Sequence, residues 1–118
     1  MEFIHTIIII LTLYYNDGTI YVPNYGFVNL KNNDVVNSGG GYAFEVSSGA
    51  VTLGYVASSD YNNLYATGST LARVNNSNYA DLAAYQLAVP TFDQNSVSDF
   101  PLFVAPDDLH ASSPTLNG

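Results

Sequence analysis

Adjacent asparagines recur at three places, Asn32-Asn33, Asn62-Asn63 and Asn75-Asn76, each beside alternating apolar residues, and this recurrence most constrains the fold. A short amide side chain can hydrogen-bond nearby backbone and tolerate left-handed φ, so such a doublet marks a place where a strand bends. The first doublet lies within residues 26–41, GFVNLKNNDVVNSGGG, where Phe27, Val28, Leu30, Val35 and Val36 set the apolar pattern and Gly39, Gly40 and Gly41 close the segment. Period-2 alternation predicts a strand with one buried face. The stretch therefore reads as one coil of a repeating β architecture. A second copy in outline follows about thirty residues later. Asn32-Asn33 with Val35, Asn37 and Gly39 can be laid against Asn62-Asn63 with Tyr65, Thr67 and Gly68, the last position slipping by one. Self-similarity at a period of roughly 20–50 residues is the mark of solenoids.

The remaining segments fit strands joined by turns, with one exception. Residues 3–15 are apolar and rich in β-branched side chains until Asn16-Asp17-Gly18, a strong turn signal, and residues 19–22 resume as a strand. The isoleucine run has no polar face, which predicts a strand covered on both sides. It carries Glu2 where a secretion leader has basic residues, and residues 7–11 fall far short of the roughly 20 needed to span a bilayer. Strands are predicted again at 42–46 and 50–57, separated by Ser47-Ser48-Gly49. Residues 78–88 are the exception. Ser77 or Asn78 can cap a helix there, Asp81 falls in its first turn, and Leu82, Tyr85 and either Leu87 or Ala88 make one apolar stripe. Pro90 stops that helix, and Pro101, Pro106 and Pro114 make residues 90–118 an extended, irregular tail.

Four stretches, GGGYAFEV at 39–46, SSDYNNLY at 58–65, YADLAAYQ at 79–86 and DQNSVSDFPLFVAPDDLHASSPTLNG at 93–118, resemble the C-terminal part of secreted bacterial right-handed parallel β-helix proteins of the Bacteroidota type, in the pectate-lyase-like superfold. Phe100 is inserted before Pro101 relative to that pattern, Thr115-Leu116 departs from its Ser-Pro motif, and Tyr85 stands where a tryptophan is common. The resemblance implies aliphatic stacks inside, with polar ladders of Asn32, Asn33, Asn62 and Asn63 at the bends. It also implies an extracellular or cell-surface setting. It implies no activity, because one superfold hosts lyases, hydrolases, adhesins and inert stalks.

Charge removes whole classes of partner. Ten acidic residues against Lys31 and Arg73 give a formal charge of −8, which lacks the cationic footprint that phosphate backbones require. Nucleic acid and anionic membrane surfaces are excluded on that ground. Zero cysteines leave neither a disulfide framework nor a thiolate zinc site.

Catalytic constellations are thin. A lyase of this superfold needs a cationic group, and Lys31 and Arg73 read as solvated surface residues. A glycoside hydrolase needs two carboxylates at fixed separation. Glu45 should point outward opposite Phe44, and Asp107-Asp108 reads better as a turn after Pro106. His5 and His110 have no nucleophile at a recognisable spacing. Asp93, Asn95 and Asp99 offer oxygen ligands of the kind calcium takes, but an Asx-turn network accounts for the same residues without a metal, so no cofactor is expected. Tyr21, Tyr25, Tyr55, Tyr61 and Tyr65 fall on or beside strands, where tyrosine faces could stack on sugar rings.

The sequence thus predicts a single all-β unit over 1–118: a right-handed parallel β-helix with coils over 1–76, a helix excursion at 77–89 and an extended tail over 90–118. The expected function is a non-catalytic structural or adhesive module of a secreted or cell-surface protein that contacts polysaccharide. The alternative is the C-terminal fragment of a polysaccharide lyase or glycoside hydrolase with its catalytic coils upstream. The expected partners are upstream coils of a longer chain, or a second copy through self-association.

Overall fold

A computed structural model of the chain describes residues 8–11, 20–22, 28–46, 56–105 and 108–116. Three sheets are built mainly from parallel pairs. The first has the order β1 (Ile8–Leu11), β4 (Asp34–Asn37), β7 (Asn63–Ala66); the second runs β2 (Ile20–Val22), β5 (Phe44–Val46), β8 (Ala72–Val74), β9 (Ser77–Tyr79); the third pairs β3 (Val28–Lys31) with β6 (Val56–Asp60). A fourth, antiparallel pair joins β10 (Phe103–Ala105) to β11 (Asp108–Ala111). The helix α1 spans Leu82–Ala88.

Register explains why these short strands hold together. In the first sheet Val35 lies opposite Leu64, and in the second Phe44 lies opposite Ala72 and Val46 opposite Val74. These residues meet Ala43, Leu71, Tyr85 and Phe92 in one buried cluster, with Leu30, Ala66, Tyr79, Leu82 and Val89 packed against it. In β5 the alternation works as the sequence requires: Phe44 and Val46 are buried, while Glu45 between them is half-exposed. The Tyr85 ring lies 6.2 Å from Phe44 and 6.1 Å from Tyr79, both tilted, and so ties the helix to the second sheet.

The expected right-handed parallel β-helix is corrected by this arrangement. The described strands make separate sheets of two to four strands with one helix, and none closes or runs on as a solenoid wall of stacked coils. The reason is visible after β8. Asn75 and Asn76 both take positive φ, 51° and 66°, the conformation a two-residue hairpin turn demands, and the chain folds back so that β9 runs antiparallel to β8. The third asparagine doublet therefore reverses the chain, whereas the first bends it through Asn32 at φ 58°.

Two further boundaries shift. The helix begins at Leu82, four residues later than the pattern predicts, because residues 77–79 are used as strand β9 and Asp81 is the N-cap, accepting from the Ala84 N–H at 2.8 Å. Leu87, one of two alternatives for the stripe, is 85% exposed. The repeat is also off by one. Asn63 lies opposite Asp34 and not Asn33, so the two segments match at a constant spacing and the slip near the glycines disappears. Gly68 shows how close they run: a Cβ there would meet the Gly40 carbonyl, with the carbonyl carbon at 2.8 Å. Among the described residues no helix is long and apolar enough to cross a membrane.

Candidate functional site

The corrected register brings polar residues from three parts of the chain into one buried group. Asn62 Oδ1 accepts from both the Asn33 N–H and the Asn33 amide, each at 3.0 Å. Its own amide donates to the Leu30 carbonyl at 3.1 Å, to Ser59 Oγ at 3.2 Å and to Asp93 Oδ1 at 2.9 Å. One residue on, Asn63 donates to Asp34 Oδ1 at 2.7 Å and to the Asp99 carbonyl at 2.8 Å, while its Oδ1 accepts from the Asp99 N–H at 2.9 Å. Thus Asn33, Asn62 and Asn63 join the ladder, and Asn32, exposed at the bend, stands outside it.

Asp93 is the centre of the group. It is fully buried, and each carboxyl oxygen accepts two hydrogen bonds. Oδ1 takes them from Asn62 and from Ser96 Oγ at 2.6 Å; Oδ2 takes them from Ser59 Oγ at 2.7 Å and from the Tyr85 hydroxyl at 2.9 Å. Its backbone is held as firmly, with its N–H on the Ser59 carbonyl at 2.7 Å and its own carbonyl accepting from Gln86 Nε2 at 2.6 Å. A φ of 54° aims the side chain inward. Burial pushes the Tyr85 hydroxyl well above its usual range, and the Asp93 carboxylate that accepts its proton pushes the same way. All four acceptor positions are filled by the protein's own donors. A group so enclosed cannot reach a substrate proton, since general base catalysis needs direct approach or one bridging water. It clamps β6, Asn62 just after the bend at Tyr61, α1 and the 93–96 turn to one another.

Three further acidic residues are also committed. Asp60 accepts from the Asn95 N–H and amide, both at 2.8 Å. Burial alone would raise its pKa, but the Asn95 and Tyr61 hydrogen bonds and the Lys31 charge outweigh this and hold it below the ordinary value. Asp99 accepts from Ser113 Oγ, and hydrogen bonds from Ser113 and Thr115 keep it below the usual carboxylate range. Asp34 is shifted the other way, because desolvation outweighs the Asn63 hydrogen bond. Asp93, Asn95 and Asp99 therefore do not converge on one point: each serves a different partner. Among the described residues no group of three or more His, Cys, Asp or Glu is placed to hold a metal ion.

The two candidate cations face acidic residues. Arg73 Nη1 lies 3.6 Å from Glu45 Oε1, directly across the β5–β8 pair, and Lys31 is exposed opposite Asp60. His110 falls in β11, as does Asp108, while His5 and Asp107 lie outside the described residues.

Of the tyrosines, Tyr61 is 59% exposed and Tyr65 is half-buried, its ring 5.5 Å from Phe100, which is itself 42% exposed. Tyr21 lies on β2, and Tyr25 and Tyr55 fall outside the described residues. Sequence reasoning missed Ser59, Asp93 as a clamp, Ser96 and Phe100. Matching the repeat at the Asn33–Asn62 spacing would have exposed the ladder, but nothing local links Asp93 to Ser59.

Comparison with known protein families, curated proteins and solved structures finds no match to this chain.

Proposed function

We propose that this chain is a non-catalytic structural or adhesive module of a secreted or cell-surface protein, and that its exposed aromatic residues contact neutral polysaccharide. The observation that supports the reading is the Tyr65–Phe100 pair: two rings in contact, partly open to solvent, on a segment that the Asn63–Asp99 hydrogen bonds hold in place. Aromatic faces stack on the C–H faces of sugar rings, and a preset position lowers the entropic cost of binding. A charge of −8 repels polyanionic chains and leaves neutral ones as the fitting ligands. The carboxylates described above serve as structural acceptors, which supports a scaffold role in place of hydrolysis.

The test is a binding isotherm with a panel of soluble neutral polysaccharides, run alongside a reducing-end assay. Phe100→Ala should weaken binding roughly tenfold, about 1.4 kcal/mol, with an unchanged circular dichroism spectrum. Chain cleavage by the purified protein, or binding indifferent to both Tyr65→Ala and Phe100→Ala, overturns the reading.

A further inference from the structure

The second sheet sorts its residues into rows. Phe44 lies opposite Ala72 and Val46 opposite Val74, and all four are buried, so the position between them on each strand faces away from the core. On β5 that position is Glu45 and on β8 it is Arg73. The hairpin at Asn75-Asn76 brings Asn78 of β9 opposite Arg73, while Tyr79 beside it packs on the buried cluster. Glu45, Arg73 and Asn78 therefore stand in one register row on the outer face, and Tyr21 of β2 takes the next register position beside Glu45. Neighbouring strands lie about 4.8 Å apart, so the row from Glu45 to Asn78 spans roughly 10 Å. Arg73 and Glu45 keep 36% and 21% of their side chains exposed, and Asn78 is exposed.

The ion pair at the centre of this row is not closed. Arg73 Nη1 stands 3.6 Å from Glu45 Oε1, against about 2.7–2.9 Å for a charge-assisted hydrogen bond. A pair this exposed adds little to stability, because water already solvates both charges. What it offers is an acceptor-only carboxylate beside a donor-only guanidinium, with an amide next in line that does both. We propose that Glu45, Arg73 and Asn78 form a hydrogen-bonding subsite for the vicinal hydroxyls of a neutral saccharide. The proposal rests on the polysaccharide reading above and adds polar recognition on a different sheet from Tyr65 and Phe100. The donor pattern selects this occupant. A hydroxyl beside the pair donates to the carboxylate and accepts from the guanidinium at once, and the pair carries no net charge with which to prefer an ionic ligand of either sign.

Amide shift mapping by NMR on the full chain, titrated with gluco-, manno- and xylo-oligosaccharides, tests this beside the binding affinities of variants. Shifts at Glu45, Arg73 and Asn78 are expected, and Glu45→Gln and Arg73→Gln should each bind roughly tenfold more weakly with an unchanged urea midpoint. The exchange Glu45→Arg with Arg73→Glu separates recognition from structure. It keeps the ion pair but trades donor for acceptor, so a purely structural pair tolerates it, whereas the subsite loses affinity. Equal saccharide affinity in the exchanged protein overturns the proposal. Shifts confined to Tyr65 and Phe100 also overturn it and leave the aromatic contact standing, whereas shifts confined to Glu45, Arg73 and Asn78 support it and remove the aromatic contact. No shift with any of the three saccharides overturns both. Should the variants unfold, the map of the unaltered chain decides.

Discussion

The β4–β7 pair carries both kinds of interior within a few residues. At Val35 and Leu64 the two strands meet through aliphatic side chains that join the buried cluster around Phe44. At Asn33, Asn62 and Asn63 the contact becomes a lattice of amides and carboxyls leading to Asp93. The apolar half is held by removal of surface from water, which is non-directional and tolerates exchange between shapes of similar volume. The polar half is held by groups whose worth depends on every partner being present, because an unmet buried donor costs far more than a met one gains. It is fully met: among the described residues no buried side-chain nitrogen or oxygen lacks a hydrogen-bond partner. The apolar half thus supplies the bulk of the driving force, and the polar half fixes which register that force is spent on.

Near-isosteric substitutions on the two sides should separate these roles. Asp93→Asn keeps the shape but replaces one carboxyl oxygen by an NH2 group, so that two of the four surrounding donors must turn round or go unmet, and at about 1–3 kcal/mol per stranded group it should cost about 4 kcal/mol in urea unfolding. Leu64→Met keeps an apolar side chain of similar volume in the buried cluster and should cost about 1.5 kcal/mol or less. Equal losses for the two would break the contrast. Between these lies Gly68→Ala, whose methyl group would press on the Gly40 backbone. A backbone neighbour yields less than a side chain, so a loss of about 2–3 kcal/mol is expected by the same denaturation, and a neutral result would mean that the two segments are not in close contact.

The smallest effect is expected from Tyr85→Phe, which removes one of the four hydrogen bonds to Asp93 and should cost about 1 kcal/mol at neutral pH. Its pH dependence is more telling. The folded pKa of Tyr85 lies above the ordinary value of 10.0, so its contribution is fully present below pH 10 and falls as pH rises beyond it, when the unfolded chain ionises and the folded chain resists. The difference in stability between wild type and Tyr85→Phe should therefore shrink above pH 10. A constant difference across that range would show that the hydroxyl titrates freely.

How far the polar half could be read in advance depends on the distance over which each pairing acts. The asparagine doublets were legible because their bend-forming property is local: Asn32 takes positive φ itself, and Asn75-Asn76 makes a turn by itself. Their roles diverged because tertiary neighbours differ. The Asn62-Asn63 segment bends at Tyr61, φ 57°, which frees both asparagines to face inward, an assignment that composition could not distinguish from a bend at Asn62. Likewise, Asp93, Asn95 and Asp99 look like three oxygen ligands in a row, yet Asp93 turns inward to Ser59 while Asn95 reaches Asp60 and Asp99 is tied to Asn63 and Ser113.

By itself the sequence determined the alternation that buries Phe44 and Val46 around Glu45, the helix centred on Tyr85, and the net charge of −8. These follow from periods of two and of about 3.6 residues, and from a sum of charges, all fixed within a few residues of chain. Only the tertiary structure decided that Asn33 stacks on Asn62, that β9 replaces the first turn of the predicted helix, and that the strands sort into separate small sheets where a solenoid was expected. Those outcomes rest on bonds between groups about thirty residues apart, where a shift of one position exchanges every inward side chain for an outward one and the winner is set by the whole set of buried partners at once.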